Sequence, residues 1–202
     1  LSYGIHAEDG LSSITHSWNG TNTTLYDSSL VLFMNFDNRS ELGENDTFVR
    51  DLSLYGNNGT VVGGENITWG NYGKYGGSYN FSGNKAYINI TDSDGLTNNY
   101  TAMTWSFWAK RLAYQANEAY LDKYTTTNGF REWKVFATGG TTISLVASSN
   151  GSTGISHTSK AGCNVDTSWT FITVVYNGSH VLYYKNGIYC DIDNTPLTQI
   201  YN

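Results

Sequence analysis

Three oxygen-bearing side chains lie where loops follow the first apolar stretches of the chain. Asp37 ends the run Leu30-Val-Leu-Phe-Met-Asn-Phe-Asp37, and Asp51 and Asn57 flank the turn Gly56-Asn-Asn-Gly59. Calcium takes about six to eight oxygen ligands, many of them from Asp, Asn and loop carbonyls. Asp37, Asp51 and Asn57 are therefore candidate calcium ligands, and calcium is a candidate cofactor. The alternative is that these Asp and Asn side chains cap their own loops.

The acidic residues show no hydrolytic pattern. A retaining glycoside hydrolase needs two carboxylates about 5 Å apart, which neighbouring strand positions could provide. No stretch of the chain has the pattern Glu-x-Asp-x-x-Glu: Glu41, Glu44 and Asp46 occupy a Gly/Asn-rich loop, where a solvated cluster is expected. The four His residues form no His-x-x-x-His motif, and no Gly-x-Ser-x-Gly motif is present. We therefore expect no catalytic residues and no enzymatic activity.

Two cysteines flank a strong hairpin signal. A strand-like stretch, the turn Asn177-Gly178 and a second such stretch lie between Cys163 and Cys190, and Asn-Gly is a preferred hairpin turn. If the hairpin continued without a break, Cys190 would return to the level of residue 167, one short loop from Cys163. We expect a Cys163–Cys190 disulfide, which is typical of extracellular proteins. Two buried free thiols are the alternative, and the lack of Cys-x-x-Cys argues against a metal pair.

N-glycosylation sequons are the strongest compositional signal. Eleven of the 22 Asn residues begin Asn-x-Ser/Thr with x not Pro, whereas chance placement predicts about 5. The excess favours a heavily glycosylated, extracellular protein at the cell surface, and chance scatter in an Asn/Thr-rich strand protein is the alternative. In 78–82 and 86–90 the sequon Asn alternates with apolar residues, so it takes the opposite, outward face. The sequons are at Asn19, Asn22, Asn38, Asn45, Asn58, Asn66, Asn80, Asn89, Asn99, Asn150 and Asn177.

Short alternating stretches between Gly/Asn-rich turns indicate an all-β protein. No window sustains the apolar spacing of a helix over three turns. The expected strands are 29–36, 48–52, 59–62, 78–82, 86–90, 102–110, 119–123, 132–137, 142–147, 154–158, 169–176, 180–185 and a short one around Ile188.

Composition excludes several classes of protein. The net charge is −6, which argues against nucleic acid because phosphate binding needs clustered positive charge. No window approaches 18 consecutive apolar residues, so we expect no membrane span. Leu1 is neither an initiating Met nor the start of a signal peptide, so we expect a mature form or an excised domain. With 202 residues, we expect one domain over 29–202, preceded by an extension over 1–28.

Several ordered motifs resemble the concanavalin A-like/laminin G-like (LamG) jelly-roll family. The resemblance covers about Leu30 to Cys190, and a start through Trp18-Asn-Gly-Thr21 resembles modules of large archaeal surface proteins. It implies a two-sheet antiparallel jelly-roll sandwich with a concave face, and a non-catalytic role in adhesion or carbohydrate binding, with glycans or surface proteins as partners. On that face, the rings to test against sugars are Trp108, Tyr124 and Trp133. The motifs that carry the resemblance are 30–37, 49–53, 56–60, 73–77, 79–83, 87–90, 103–110, 169–176 and 181–187.

Two departures from the family suggest a different role. The closing Gly-x-Ile-Asp-Glu strand is absent after the last hairpin, so the sandwich is expected to lack its own closing strand and to expose an edge. In addition, Leu1, Tyr3 and Ile5 alternate as a donated strand would. The alternative function is therefore a structural subunit of an extracellular filament or surface layer, in which residues 1–10 pair with an identical subunit. An arm docked on its own domain explains the same alternation.

Overall fold

The computed structural model of the chain describes residues 13–18, 20–83, 85–93, 96, 100–114, 117–126, 129 and 131–201. The chain divides into two units, Leu1–Thr97 and Asn98–Asn202, called here the first and the second unit. The expected boundary between residues 28 and 29 stays a prediction. Within the described residues, no helix is long and apolar enough to cross a membrane.

The described residues of the first unit form seven short strands in three antiparallel sheets. Strands β1 and β2 pair as a hairpin, β4 lies between β3 and β7, and β5 pairs with β6. Two 3₁₀ helices, Ser40–Leu42 and Gly64–Asn66, precede β3 and β5. The strands are β1 Ile14–Trp18, β2 Thr21–Tyr26, β3 Phe48–Val49, β4 Gly59–Val62, β5 Ile67–Gly70, β6 Ser78–Phe81 and β7 Tyr87–Ile90.

The second unit is a sandwich of two four-stranded antiparallel sheets, in the orders β12-β11-β10-β9 and β15-β14-β13-β8. Alternate residues of β10 and β13 are buried, as the period of two requires. The all-β, antiparallel sandwich class is thereby confirmed. The strands are β8 Met103–Ala109, β9 Ala119–Tyr124, β10 Arg131–Thr138, β11 Thr142–Ser148, β12 Gly154–Thr158, β13 Thr170–Tyr176, β14 Val181–Lys185 and β15 Ile188–Asp193.

The core of the second unit is built from the inward residues of both sheets. Trp105 on β8 packs against Trp133 on β10, with ring centroids 5.2 Å apart. Leu197 and Ile200, after the last strand, are also buried in this core. Ile200 exchanges two backbone hydrogen bonds with Tyr100, at 2.8 and 3.0 Å. The Tyr201 N–H also donates to the Ser148 carbonyl at 2.7 Å, and the Tyr176 hydroxyl donates to the Leu197 carbonyl at 2.9 Å. The C-terminal segment is therefore docked on its own unit by several hydrogen bonds, although its described residues form no full strand.

The stretch 29–36 was expected to be a strand, and this is wrong. The segment joins no strand ladder: several of its backbone groups bond to side chains, and the Phe33 carbonyl accepts from the backbone N–H of Leu52 at 2.7 Å. The Phe33 N–H donates to Asp51 Oδ1 at 2.8 Å, and the Val31 carbonyl accepts from Asn57 Nδ2 at 2.8 Å. These contacts hold the segment without a ladder, which the alternation of apolar residues does not reveal.

Two carboxylates of β15 accept hydrogen bonds from backbone N–H groups at one edge of the sandwich. Strand β12 ends one sheet, and its outward N–H groups would be a template for an added strand. Asp193 Oδ2 accepts from the Thr158 N–H at 3.1 Å, and Asp191 Oδ2 accepts from the Lys160 N–H at 2.5 Å. These carboxylates occupy donors that an incoming strand would need. Residues 1–10 lie outside the described residues, so strand donation stays a prediction.

The Cys163–Cys190 disulfide is confirmed, with Cα atoms 6.0 Å apart. The path of the chain between the two cysteines is not an unbroken hairpin. Strand β14 ends at Lys185, the chain turns back at Asn186 and Gly187, and Cys190 lies on β15. The bond therefore joins the last strand of one sheet to the loop that follows β12 of the other.

Removing this disulfide should destabilise the protein. For a sequence separation of 27, chain entropy predicts a loss of about 3 to 4 kcal/mol in the free energy of unfolding. Urea unfolding with and without reductant measures it. The double variant Cys163→Ser/Cys190→Ser is the control, because its midpoint should match the reduced protein and ignore reductant. Equal midpoints for oxidised and reduced wild type would contradict the entropic effect.

Stability should also depend on His157. Its side chain is fully buried, and Nδ1 lies 3.3 Å from Asp193 Oδ1. Burial lowers the pKa of His157 below 6.5, although Asp193 opposes the shift. The unfolded chain then binds the proton more readily than the folded one, so this contribution is complete above about pH 6.5 and is lost as the pH falls below it.

Urea titrations between pH 7.5 and 5 test this dependence. His157→Gln should flatten the fall of the unfolding free energy towards acid pH. His180→Gln removes an imidazole at the β13–β14 turn and is the matched control. The same slope in wild type and His157→Gln would show that another group is responsible.

Candidate functional site

The three rings expected to bind sugar do not lie together. Trp108 is on β8, in one sheet of the second unit, whereas Tyr124 and Trp133 are on β9 and β10 of the other. Trp133 is only 9% exposed and packs on Trp105 in the core. Its assignment as a sugar-stacking ring is therefore corrected: Trp133, Val135 and Ala137 are the alternate residues of β10 that face inwards.

Trp108 and Tyr124 keep some exposure but not a shared site. Trp108 is 38% exposed and packs against Phe171, its partner on β13, with centroids 5.2 Å apart. Tyr124 is half-buried, and its hydroxyl lies so close to Gly154 that a Cβ there would collide with it. Trp108 thus offers one ring on an open sheet face, and Tyr124 serves mainly as packing for the start of β12.

Asp51 and Asn57, expected as calcium ligands, form a hydrogen-bonded hub in the first unit. Asp51 is 3% exposed, and its two oxygens accept from four donors at 2.6–2.9 Å: the N–H groups of Phe33, Ser53 and Asn57 and the hydroxyl of Ser53. Asn57 Oδ1 accepts from the Ser93 hydroxyl. A cation would have to displace these donors, so the geometry favours the loop-capping alternative.

Asp37 is held by a different partner. Its Oδ1 accepts from the Gly77 N–H at 3.0 Å, which ties the end of the apolar run to the start of β6. Among the described residues there is no group of three His, Cys, Asp or Glu side chains that could hold a metal ion. Calcium binding by Asp37, Asp51 and Asn57 stays a prediction.

The acidic loop at 41–46 was expected to be a solvated cluster, and this is wrong for Glu44. Glu44 is 5% exposed, and its carboxylate accepts from the backbone N–H of Arg39 at 2.7 Å and of Arg50 at 3.1 Å. Glu41 and Asp46 are exposed. Glu44 therefore fixes the loop, and Asp46 is left on its surface.

A cleft of about 260 Å³ lies next to this loop in the first unit. It is lined by two aromatic rings, an aliphatic side chain, a threonine and a carboxylate. Sugar sites combine such features, because an apolar ring face packs on C–H groups while a few polar atoms orient the hydroxyls. The volume is below the range of about 300–1,000 Å³ for drug-sized ligands, which suits a single sugar ring. The lining residues are Asp46, Ile67, Thr68, Trp69 and Tyr79.

Paired strands hold the two rings of the cleft. Trp69 on β5 lies directly opposite Tyr79 on β6, so both side chains leave the same face of the ribbon. Trp69 Nε1 donates to the Phe36 carbonyl at 2.8 Å, and the Tyr79 ring meets the Phe36 ring edge-on at 5.8 Å. A Cβ at Gly77 would collide with both the Trp69 ring and the Phe36 carbonyl. The rings are therefore pre-positioned, which lowers the entropy cost of binding.

The electrostatics of the cleft are negative. The pKa of Tyr79 is raised first by burial and then by the charges of Glu44 and Asp46. Both carboxylates thus act on the phenol that lines the cleft, and Tyr79 stays a neutral hydrogen-bond donor and acceptor at neutral pH.

This cleft was not anticipated from sequence. Strand β5 was missed, because Ile67-Thr-Trp-Gly70 is short and lies within a Gly-rich region. The available signal was the pair of aromatic stretches around Trp69 and Tyr79, separated by Gly-rich turns, which together suggest a hairpin.

The comparison with known families decides the family. The profile of the concanavalin A-like lectin/glucanases superfamily, of the laminin G type, matches residues 82–200. The chain belongs to this superfamily. No match to a curated protein was found. The matched range of this superfamily member includes the strands of the second unit and leaves the cleft-lining residues outside.

The structure describes nine of the eleven sequon asparagines; Asn19 and Asn99 lie outside the described residues. Asn89 is exposed on β7 between the half-buried Ile88 and Ile90, as expected. Asn80 is half-buried on β6, next to an exposed Phe81. No described sequon asparagine is buried: seven are exposed, and Asn38 and Asn80 are half-buried.

Glycosylation of the native protein should therefore be extensive. We expect the intact mass of protein from its native source to exceed 22.3 kDa and to fall after enzymatic or chemical deglycosylation, because exposed sequons are accessible acceptors. Bacterially expressed chain is the unmodified reference. A native chain with the unmodified mass less two hydrogens would contradict this prediction.

Proposed function

We propose that the protein is a non-catalytic carbohydrate-binding module that acts in adhesion at the cell surface, and that the cleft of the first unit is its sugar site. The observation that carries the proposal is the pairing of Trp69 and Tyr79 over one cleft, with Thr68 and Asp46 at its wall. Membership of a superfamily of lectins and glucanases supports carbohydrate as the ligand class.

The number of free carboxylates supports binding rather than hydrolysis. Glycoside hydrolysis requires two carboxyl groups across the scissile bond. Asp46 is the one carboxylate among the lining residues, and the neighbouring Glu44 is engaged by two backbone N–H groups. The cleft therefore offers a hydrogen-bond acceptor for a sugar hydroxyl but no acid–base pair.

The disulfide and the exposed sequons support an extracellular location. Disulfides persist in oxidising compartments, and N-glycans are added to proteins that pass through a secretory route. Assembly by strand donation stays the alternative. The Asp193 carboxylate occupies the Thr158 N–H of β12, which argues against an added strand pairing at that position.

Glycan binding by cleft variants tests the proposal. Unglycosylated, disulfide-bonded protein is applied to a glycan array with and without calcium, and hits are measured by calorimetry. Trp69→Ala and Tyr79→Ala should each weaken binding at least about fivefold, because each removes a stacking ring worth about 1 kcal/mol.

Trp108→Ala is the matched control, because it removes an exposed ring from the second unit. It should leave the affinity unchanged. Thermal unfolding of each variant shows whether the fold is retained, since Trp69 also bonds to Phe36. If Trp108→Ala loses binding and Trp69→Ala retains it, the sugar site is on the β8 sheet face and not in the cleft. An array without hits would reject carbohydrate binding.

A further inference from the structure

The wall of the cleft carries a negative charge with no cation among the lining residues. Asp46 is exposed at the cleft, and its Oδ1 accepts from Asn38 Nδ2 at 3.2 Å. This partner is a neutral amide, so the hydrogen bond orients the carboxylate without cancelling its charge. The nearby guanidinium of Arg39 lies 3.3 Å from Glu41, so it is partly neutralised by another carboxylate.

A second negative charge, that of Glu44, belongs to the same acidic loop. Glu44 is buried and held by backbone N–H groups, which are dipoles and leave its net charge intact. Burial raises the pKa of the Tyr79 hydroxyl first, and the charges of Glu44 and Asp46 raise it further; Asp46 and Tyr79 line the same cleft. Buried and half-buried charges are screened by salt less than exposed ones.

The charge of the whole chain is concentrated in the unit that carries the cleft. Residues 1–97 contain eleven Asp and Glu against four Lys and Arg, a formal net charge of −7, whereas residues 98–202 contain six against seven, a net charge of +1. The overall net charge of −6 therefore comes from the first unit. Long-range forces on an approaching ligand act in the same direction as the local ones.

We infer that the cleft selects neutral or amino-bearing sugars and rejects sugars that carry a carboxylate, such as uronic and sialic acids. This inference rests on the proposed function. A ligand carboxylate a few ångströms from Asp46 would meet like-charge repulsion that corresponds to about a tenfold loss of affinity at low salt. An ammonium group in the same place would gain by a similar factor.

Three probes of identical ring and linkage separate these effects. They are the methyl glycosides of a neutral hexose, of its 2-amino derivative and of its uronic acid, titrated into unglycosylated protein with intrinsic tryptophan fluorescence or ligand-observed NMR as the readout. The expected order of affinity is amino, then neutral, then uronic, with about tenfold between neutral and uronic at low salt. The gap should narrow as salt increases.

Asp46→Asn should raise the affinity for the uronic probe several-fold, lower that for the amino probe, and change the neutral probe least. Asp92→Asn is the matched control. It makes the same change in net charge within the same unit at a residue that does not line the cleft, and its effect should be small for all three probes.

The outcomes distinguish the two proposals. Equal binding of the three probes, or preference for the uronic probe, overturns the charge selection and leaves sugar binding intact. An Asp46→Asn variant with an unchanged order of affinity also overturns it. Failure of all three probes, and of the glycan array, overturns the proposed function and this inference with it.

Discussion

Backbone N–H groups that fall outside the strand ladders are the constraint on which this structure depends. Each must find an acceptor, because an unpaired buried donor costs about 1–3 kcal/mol. Carboxylates meet this need at several places, among them Glu44 in the acidic loop, Asp51 beside the extended segment 29–36, and Asp193 with Asp191 at the sandwich edge. A chain with many turns and short strands needs such acceptors, and Asp and Glu provide two oxygens each.

The same constraint divides the acidic residues by role. Glu44 and Asp51 are buried, and each of their carboxylate oxygens accepts a hydrogen bond, whereas Asp46 is two residues from Glu44 and is exposed. The fixed loop presents Asp46 to the cleft, and the paired strands β5 and β6 present Trp69 and Tyr79. The cleft is thus a product of loop capping and strand pairing together. The negative charge at the cleft wall is that of Asp46, whereas Glu44 is engaged by backbone N–H groups of the loop.

The two units contain different features that bear on stability and on function. The superfamily match covers the sandwich of the second unit, where the core, the disulfide and the carboxylate-capped edge account for stability. The cleft lies in the first unit, with most of the negative charge. The matched range alone would suggest only Trp108 as a sugar-stacking ring. The structure adds Trp69 and Tyr79 as rings to test for sugar binding. The fold alone does not identify the ligand site, because one sandwich fold supports many ligands.

Local patterns determined most of the secondary structure. The alternation in 103–109 and 170–176, and the turn at Asn177 and Gly178, predict strands β8, β13 and β14 within one or two residues, because side-chain alternation and turn chemistry are properties of neighbouring residues. The Cys163–Cys190 bond was also predictable, although the path of the chain between the cysteines was not.

Tertiary structure alone decided which aromatic and acidic side chains are accessible. Trp133 and Trp108 occupy similar alternating patterns, yet one fills the core and the other faces outwards. The period of two assigns a residue to a face and cannot say which face another sheet will cover. In the same way, Asp51 and Asp46 are both acids in Gly/Asn-rich loops, and only their distant neighbours separate a saturated cap from an open carboxylate. Burial and hydrogen-bond partners depend on contacts between residues far apart in the sequence, which a local pattern does not contain.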